Sequence, residues 1–229
     1  MSTAVLDPPT RQGLDAPPAL PRFVTRLREL TVPVALGTGA ALIFAASAMH
    51  DEGNDDDETF VRLISGHINR WVLVHLMLTL GWLLLVVGAG ALTRLMRGRG
   101  RVPFMIATPL MVVGGLAWAF ENLTHGVLAY ALNARADVSL HAATQIQLDY
   151  FELGWTKAIV NLQALALLSI IVMGVGAIRS RLVPTWAGVL LCVSLVPVFM
   201  APEGPAGLLG GLPLMVGLAA LARSTAKAA

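Results

Sequence analysis

The sequence predicts an all-α polytopic membrane protein, a six-transmembrane-helix bundle with its N and C termini in the cytoplasm. Of 229 residues, 56% are hydrophobic and only 13% are charged, and the mean hydropathy is +0.71. A soluble domain carries roughly 25% charged residues, so this composition fits a protein whose outer surface faces the lipid bilayer. Two further observations, six charge-poor segments and an uneven distribution of arginine, define the spans and their orientation.

The six charge-poor segments each approach the ~20 residues that a helix needs to cross the hydrocarbon core. Each is expected to be helical throughout, because lipid offers the backbone no hydrogen-bond partners. The last two are joined by a short proline-rich connection, and either a tight helical hairpin or two re-entrant segments fit this pair. The predicted spans cover residues 31–49, 71–93, 103–133, 153–178, 183–201 and 205–222.

The chain divides into three regions. Residues 1–22 predict a disordered cytoplasmic tail, because they are rich in proline and lack the apolar core of a signal peptide. Residues 23–223 form the transmembrane domain, and 224–229 form a second cytoplasmic tail. The single cysteine, Cys192, excludes an intrachain disulfide, and a net charge of +2 gives no indication of nucleic-acid binding.

Arginine counting orients the bundle. Of the 16 basic residues, all but Arg62, Arg70, Arg135 and Lys157 fall on one side of the six spans. The opposite side carries most of the acidic residues, including the acidic run within 51–58. Because basic residues are retained on the cytoplasmic side, the arginine-rich side and both termini are predicted to be cytoplasmic. The arginine- and alanine-rich composition favours a bacterial inner (plasma) membrane.

Four ionisable residues interrupt the spans, and all lie in the outer half of helices two to four. They are His75, Glu121, His125 and Lys157. Each costs about 3 kcal/mol or more inside a membrane, which favours a functional interpretation. The helical rise predicts one layer containing His75, His125 and Asn161, with Glu121 one turn deeper. Glu121 and His125 are four residues apart, so both can ligate one ion.

A second polar group is predicted on the outer side of the membrane. Polar and apolar residues recur every three or four positions over 59–75 and 139–156, so helices two and four are expected to extend past the bilayer. His67 and His141 should then face each other. Together with Asp149 and Glu152, they form a candidate second metal site.

Three interpretations fit these residues. In the leading one, His75 and His125 with Glu121 bind a transition metal or a haem, which would allow redox chemistry, and Asn161 lines the same cofactor site. In the second, Glu121 and His125 carry protons in a proton-coupled transporter of a small solute. In the third, the polar residues fix the helix register of an accessory or structural subunit. A homo-oligomer or a larger membrane complex is compatible with all three.

Overall fold

The computed structural model describes residues 22–50, 56–96, 98–194 and 207–228, with side chains for 30–50, 56–96, 98–194 and 211–226. The described residues are 91% helical and contain no strand, which confirms the all-α prediction. Predictions that concern 1–21, 51–55, 97, 195–206 and 229 lie outside the described residues. The α-helices are α1 (Arg22–Met49), α2 (Asp57–Gly66), α3 (Ile68–Leu95), α4 (Arg101–Asn133), α5 (Leu140–Glu152), α6 (Gly154–Ser180), α7 (Thr185–Val193) and α8 (Gly207–Ala228).

Within the described residues, four helical segments are long and apolar enough to cross a membrane. They agree with the first four predicted spans. The regions of the last two predicted spans contain α7 and α8, and the described side chains of α8, Gly211–Ala226, form an apolar helical segment. The four segments are Leu30–Met49, Ile68–Leu95, Gly98–Asn133 and Gly154–Ser180.

The long helices form a closed ring. Helices α1, α3, α4, α6 and α7 pack side by side in chain order, and α8 packs against both α7 and α1. Fully buried residues such as Leu36, Leu85, Met111, Ile170 and Leu218 fill the space between them. Apolar side chains fill one contiguous core that spans every helix of the ring.

Glycine allows α4 and α6 to approach until their backbones touch. A Cβ atom added at Gly114 would lie 2.0 Å from the backbone nitrogen of Ala166. Nearer the N-terminal end of α4, the Ser169 hydroxyl donates a hydrogen bond to the Ala107 carbonyl across the same contact (2.7 Å). Small residues and interhelical hydrogen bonds are the usual means by which helices associate in membranes.

The two ends of the bundle differ in character. The arginine-rich end contains the α3–α4 and α6–α7 connections, with Arg94, Arg99, Arg101, Arg179 and Arg181. At the other end, α2 and α5 pack against each other over the mouth of the ring. We call this the α2–α5 end.

The helices at the α2–α5 end differ in one respect from the sequence prediction. Helix covers most of 59–75 and 139–156 as expected, but each stretch is interrupted, at His67 and at Leu153. Gly66 precedes the first interruption and Gly154 follows the second. Glycine inside a helix is less favourable than alanine by about 1 kcal/mol, so helices break readily at these positions.

Side-chain caps begin both short helices. The Ser139 hydroxyl accepts a hydrogen bond from the Ala142 backbone at the start of α5, and the Asp56 carboxylate accepts from Thr59 at the start of α2. The Thr59 hydroxyl also donates to Asp56. These two donors lower the pKa of the Asp56 carboxyl below its ordinary value, because hydrogen bonds from Thr59 stabilise the charged form.

Candidate functional site

A cavity of about 610 Å³ lies between the halves of the helices that are nearest the α2–α5 end; we call it the central cavity. It is bordered by the last turns of α1, the first half of α3, the second half of α4, and the first halves of α6 and α8. Its wall is mostly aliphatic and aromatic. Polar and titratable groups interrupt the wall at Ser47, His50, His75, Glu121, Asn122, His125 and Gln163.

Three histidine rings meet at one side of the central cavity. The ring centroids of His50 and His75 are 5.5 Å apart, and those of His75 and His125 are 5.1 Å apart. Trp71 touches all three, with centroid distances of 4.9 Å to His50, 4.4 Å to His75 and 5.4 Å to His125. Phe151 of α5 closes the other side of His125 at 5.0 Å. We call His50, His75 and His125 the histidine cluster.

The position of the proton on His75 follows from its hydrogen bond. Its Nδ1 lies 2.9 Å from the carbonyl oxygen of Trp71, one turn earlier in α3. A carbonyl can only accept, so Nδ1 carries the hydrogen, and in the neutral ring the lone pair is on Nε2. This nitrogen can therefore bind a metal ion or accept a proton.

His125 lies beside a carboxylate. Its Nδ1 lies 3.7 Å from Oε1 of Glu121, one turn deeper in α4, and both side chains are largely buried. The Nε2 atom of His125 is buried and has no hydrogen-bond partner among the described residues. Glu121, His125 and His75 thus form a continuous path of titratable groups that extends from within α4 to α3.

Buried polar atoms without hydrogen-bond partners gather around the same cavity. Of the five buried side-chain nitrogen and oxygen atoms that have no partner in the described part of the chain, four belong to residues of the cavity wall. They are Nε1 of Trp71, Nε1 of Trp118, Nε2 of His125 and Nε2 of Gln163. A buried polar group without a partner destabilises a protein by about 1–3 kcal/mol, so such groups mark a site where a ligand or bound water completes the bonding.

Two tryptophans form the deeper part of the wall. The indoles of Trp82 and Trp118 stack with an interplanar angle of 8° and a centroid distance of 5.2 Å. Trp118 is also anchored through its carbonyl oxygen, which accepts from the amide of Asn122 (2.8 Å). The pair presents rigid aromatic surface next to unpartnered donors, a combination that is typical of small-molecule sites.

Three of the four predicted residues of the inner site come together, and one does not. His75, Glu121 and His125 border the central cavity. Asn161 instead lies on the exposed side of α6, and Gln163 takes its place in the cavity wall. The buried side of α6 follows Thr156, Gln163 and Ile170 at intervals of seven, and Asn161 is turned away from that stripe.

The predicted outer group does not converge. His141 pairs with Glu58 of α2 (Nδ1 to Oε1 3.0 Å), and His67 lies beside Arg70 at 3.5 Å. Glu152 forms an ion pair with Lys157 (2.6 Å), and Asp149 is exposed. This arrangement differs from the predicted second metal site.

Sequence reasoning missed several residues of the site. His50 directly follows the first predicted span and is not among the predicted site residues, although its position at the end of that helix gives it the same depth as the outer turns of α3. The tryptophans at 71, 82 and 118 carry no polar signal on a hydropathy scale, and Gln163 was overlooked in favour of Asn161. The seven-residue spacing from Thr156 to Gln163 to Ile170 is a signal that could have identified Gln163.

The metal prediction stays a prediction. No group of three or more His, Cys, Asp or Glu side chains in the described residues is arranged to hold a metal ion. Comparisons of the chain with family models, with characterised proteins and with solved structures found no significant match. The functional argument therefore depends on the geometry of the central cavity.

Proposed function

We propose that this chain is a six-span inner-membrane protein that binds a small solute in the central cavity and exchanges protons with it, as a proton-coupled transporter does. The arginine-rich end is cytoplasmic in this proposal, and the α2–α5 end is outside. The four span-length helices and the confinement of most basic residues to one side of the spans support this orientation.

The row of titratable groups from His50 to Glu121 is the observation that carries the proposal. His50 lies at the α2–α5 end, His75 and His125 follow, and Glu121 lies one helical turn deeper. A neutral imidazole accepts a proton at one nitrogen and releases one from the other. The His75 ring must rotate away from the Trp71 carbonyl to pass its Nδ1 proton on, and ring separations of 5.1–5.5 Å can be bridged by such rotation or by one water molecule. A proton from the outside can thus reach the Glu121 carboxylate or a bound solute.

The hydrogen-bond donors without partners indicate which chemical groups the solute carries. The indole N–H groups of Trp71 and Trp118 and the amide of Gln163 can all donate to acceptor atoms inside the central cavity. The volume of about 610 Å³ lies within the usual range for small-molecule sites. A small solute with oxygen acceptors and a partly apolar body matches this wall.

Proton movement in liposomes tests the proposal. Protein would be reconstituted into vesicles that contain a pH-sensitive dye, and short carboxylates, amines and sugars would be added separately from outside. One class should cause protein-dependent proton movement, and Glu121→Gln and His125→Ala should reduce it on the order of tenfold or more. Asn161→Ala, at similar depth on the exposed side of α6, is the matched control. Equal proton movement in all variants would contradict the proposal.

A metal site is the second candidate, and a specific observation favours it. The Trp71 carbonyl orients His75, and Glu121 lies beside His125, in the way that outer partners orient metal-binding histidines. Nε2 of His75 and Nε2 of His125 would be the ligand atoms for a transition-metal ion or a haem iron, which would supply redox chemistry there.

Elemental analysis and a visible spectrum of the purified protein distinguish the candidates. Under the metal proposal, stoichiometric metal should be lost in His75→Ala and His125→Ala and kept in His141→Ala, whose ring is exposed outside the cavity. Haem would give a strong visible absorption band. Metal retained by all three variants would exclude the histidine cluster as the ligand set.

A further inference from the structure

A second depression, separate from the central cavity, lies at the arginine-rich end. It has a volume of about 400 Å³ and runs between the start of α4 and the last turns of α6. Arg99 and Arg179 stand on its two sides. Its floor is formed by aliphatic side chains of both helices, Val102, Ile106, Val172 and Val175. We call it the arginine groove.

Close packing fixes the spacing of the two arginines. A Cβ atom added at Gly100 would lie 2.5 Å from Cβ of Ser180 and 3.0 Å from the carbonyl oxygen of Gly176. Each arginine is the residue immediately before a member of this contact, Arg99 before Gly100 and Arg179 before Ser180. The separation between the two sides of the arginine groove is therefore set by backbone contact.

The charge of the groove is not neutralised by the described part of the chain. Both guanidinium groups are exposed, and no described carboxylate forms an ion pair with either. The floor is exposed as well, with Val102 at 64% and Ile106 at 51% of their full accessible area. The groove thus combines an unneutralised pair of positive charges with an open apolar surface.

The location of the groove determines what can occupy it. All its residues fall within the two span-length segments Gly98–Asn133 and Gly154–Ser180. Its apolar floor consequently faces hydrocarbon, and its arginines lie at the level where the spans end. Arginine binds phosphate through two parallel hydrogen bonds, and basic pockets between spans are suited to the head groups of anionic lipids.

We propose that the arginine groove binds one anionic phospholipid. Arg99 and Arg179 bind its phosphate from the two sides, and one acyl chain lies along Val102, Ile106, Val172 and Val175. A soluble phosphate would use the arginines but gain nothing from the apolar floor. A zwitterionic lipid would use the floor but bring no net charge. This proposal does not depend on the function of the central cavity.

Lipid binding to the full chain in neutral detergent tests the proposal. Native mass spectrometry would measure binding of phosphatidylglycerol and phosphatidylcholine, and glycerol phosphate would be added as a competitor. The wild type should retain phosphatidylglycerol in preference to phosphatidylcholine. The double variant Arg99→Gln/Arg179→Gln should bind it roughly thirtyfold more weakly, since each basic residue near the surface contributes about a factor of five to six.

The matched control also removes two positive charges from the arginine-rich end. Arg94→Gln/Arg101→Gln leaves the groove intact, because neither residue borders it, and should keep the affinity within about threefold. Val175→Ser tests the floor at an exposed position and should weaken lipid binding without changing the affinity for glycerol phosphate itself. A melting temperature measured for each variant excludes misfolding as the cause.

Several outcomes would overturn the proposal. Equal binding of phosphatidylcholine would mean that the floor alone retains lipid. An equal loss of phosphatidylglycerol affinity in both double variants would mean that the lipid is attracted by the overall positive charge of the arginine-rich end and not by the groove. Displacement by glycerol phosphate at the concentration of the lipid would assign the groove to a soluble anion.

Discussion

The rings of His75 and His125 meet edge to face across α3 and α4, with centroids 5.1 Å apart and planes at 77°. Gly126 makes this contact possible, because it follows His125 in α4 and lies directly against His75. A Cβ atom added at Gly126 would be 2.8 Å from Cβ of His75. The two histidines therefore meet for two reasons: they lie at the same depth in the bundle, and Gly126 has no side chain that would hold α3 and α4 apart.

The substitution Gly126→Ala should disturb this contact. The added methyl group must push α3 away from α4, and overpacking of this kind destabilises by about 1–3 kcal/mol. We expect a lower melting temperature and weaker retention of any ligand of the central cavity. Gly90→Ala in α3 is the control, because nothing lies within 4 Å of the added atom and alanine favours helix. Equal melting temperatures for the two variants would contradict the steric argument.

The depth of the histidines could be predicted from the sequence, but their rotation could not. Counting residues from the span ends correctly brought His75 and His125 to one layer, because helical rise is nearly constant. The same count placed Asn161 in that layer, but α6 turns this residue outward. Rotation about the helix axis is set by which side packs on the neighbouring helices, as with Gly114 against Ala166, and that information is spread over the whole bundle.

The α2–α5 end shows a second limit of sequence reasoning. Helical periodicity correctly indicated helix in 59–75 and 139–156, but it gave no sign of the interruptions at His67 and Leu153. A short break rotates the residues that precede it relative to those that follow. In the structure, His141 lies against Glu58 of α2, a contact that periodicity alone does not predict. Gly66 and Gly154 indicate these interruptions locally, but a prediction based on periodicity alone does not take them into account.

Cysteine labelling tests the orientation of the chain. In a Cys192→Ser background, Gln145→Cys should react with a membrane-impermeant thiol reagent in intact cells, because Gln145 is exposed on α5 at the proposed outer end. Arg101→Cys, exposed at the arginine-rich end, should react only after the membrane is permeabilised. The reverse pattern would invert the topology and place the central cavity in the cytoplasmic half.

Loss of the Asp56 cap should loosen the start of α2 in a pH-dependent way. The pKa of Asp56 is lowered in the folded protein by hydrogen bonds from Thr59, so its stabilising effect is complete above the unfolded value of 3.8 and is lost as pH falls through the lower folded value. Asp56→Ala should therefore speed amide exchange in α2 roughly fivefold near neutral pH. The difference from wild type should vanish at a pH below the folded value. Asp57→Ala, which removes a neighbouring carboxylate that is not the N-cap residue, should have a smaller effect.

Replacing Gln163 distinguishes two states of the central cavity: one in which the Gln163 amide lacks a partner until a ligand binds, and one in which an ordered water already bonds to it. Gln163 is 6% exposed, and its Nε2 has no partner in the described residues. Methionine has nearly the same shape and no donor, so Gln163→Met should raise the stability of the ligand-free protein by about 1–2 kcal/mol while weakening solute binding. If an ordered water already satisfies the amide, the same change should be neutral or destabilising, because a buried water would lose a partner.

The matched control for this substitution is Gln147→Met in α5. Gln147 is also 6% exposed, but its amide is not among the buried groups without a partner. The control should therefore not be stabilised. Opposite changes in melting temperature for the two variants would identify an unsatisfied donor at Gln163, the energetic signature of a cavity built to receive an acceptor atom. Equal changes would mean that the Gln163 amide is satisfied to the same degree as that of Gln147, and the solute would then have to be bound by the indole N–H groups of Trp71 and Trp118 and by the histidine cluster.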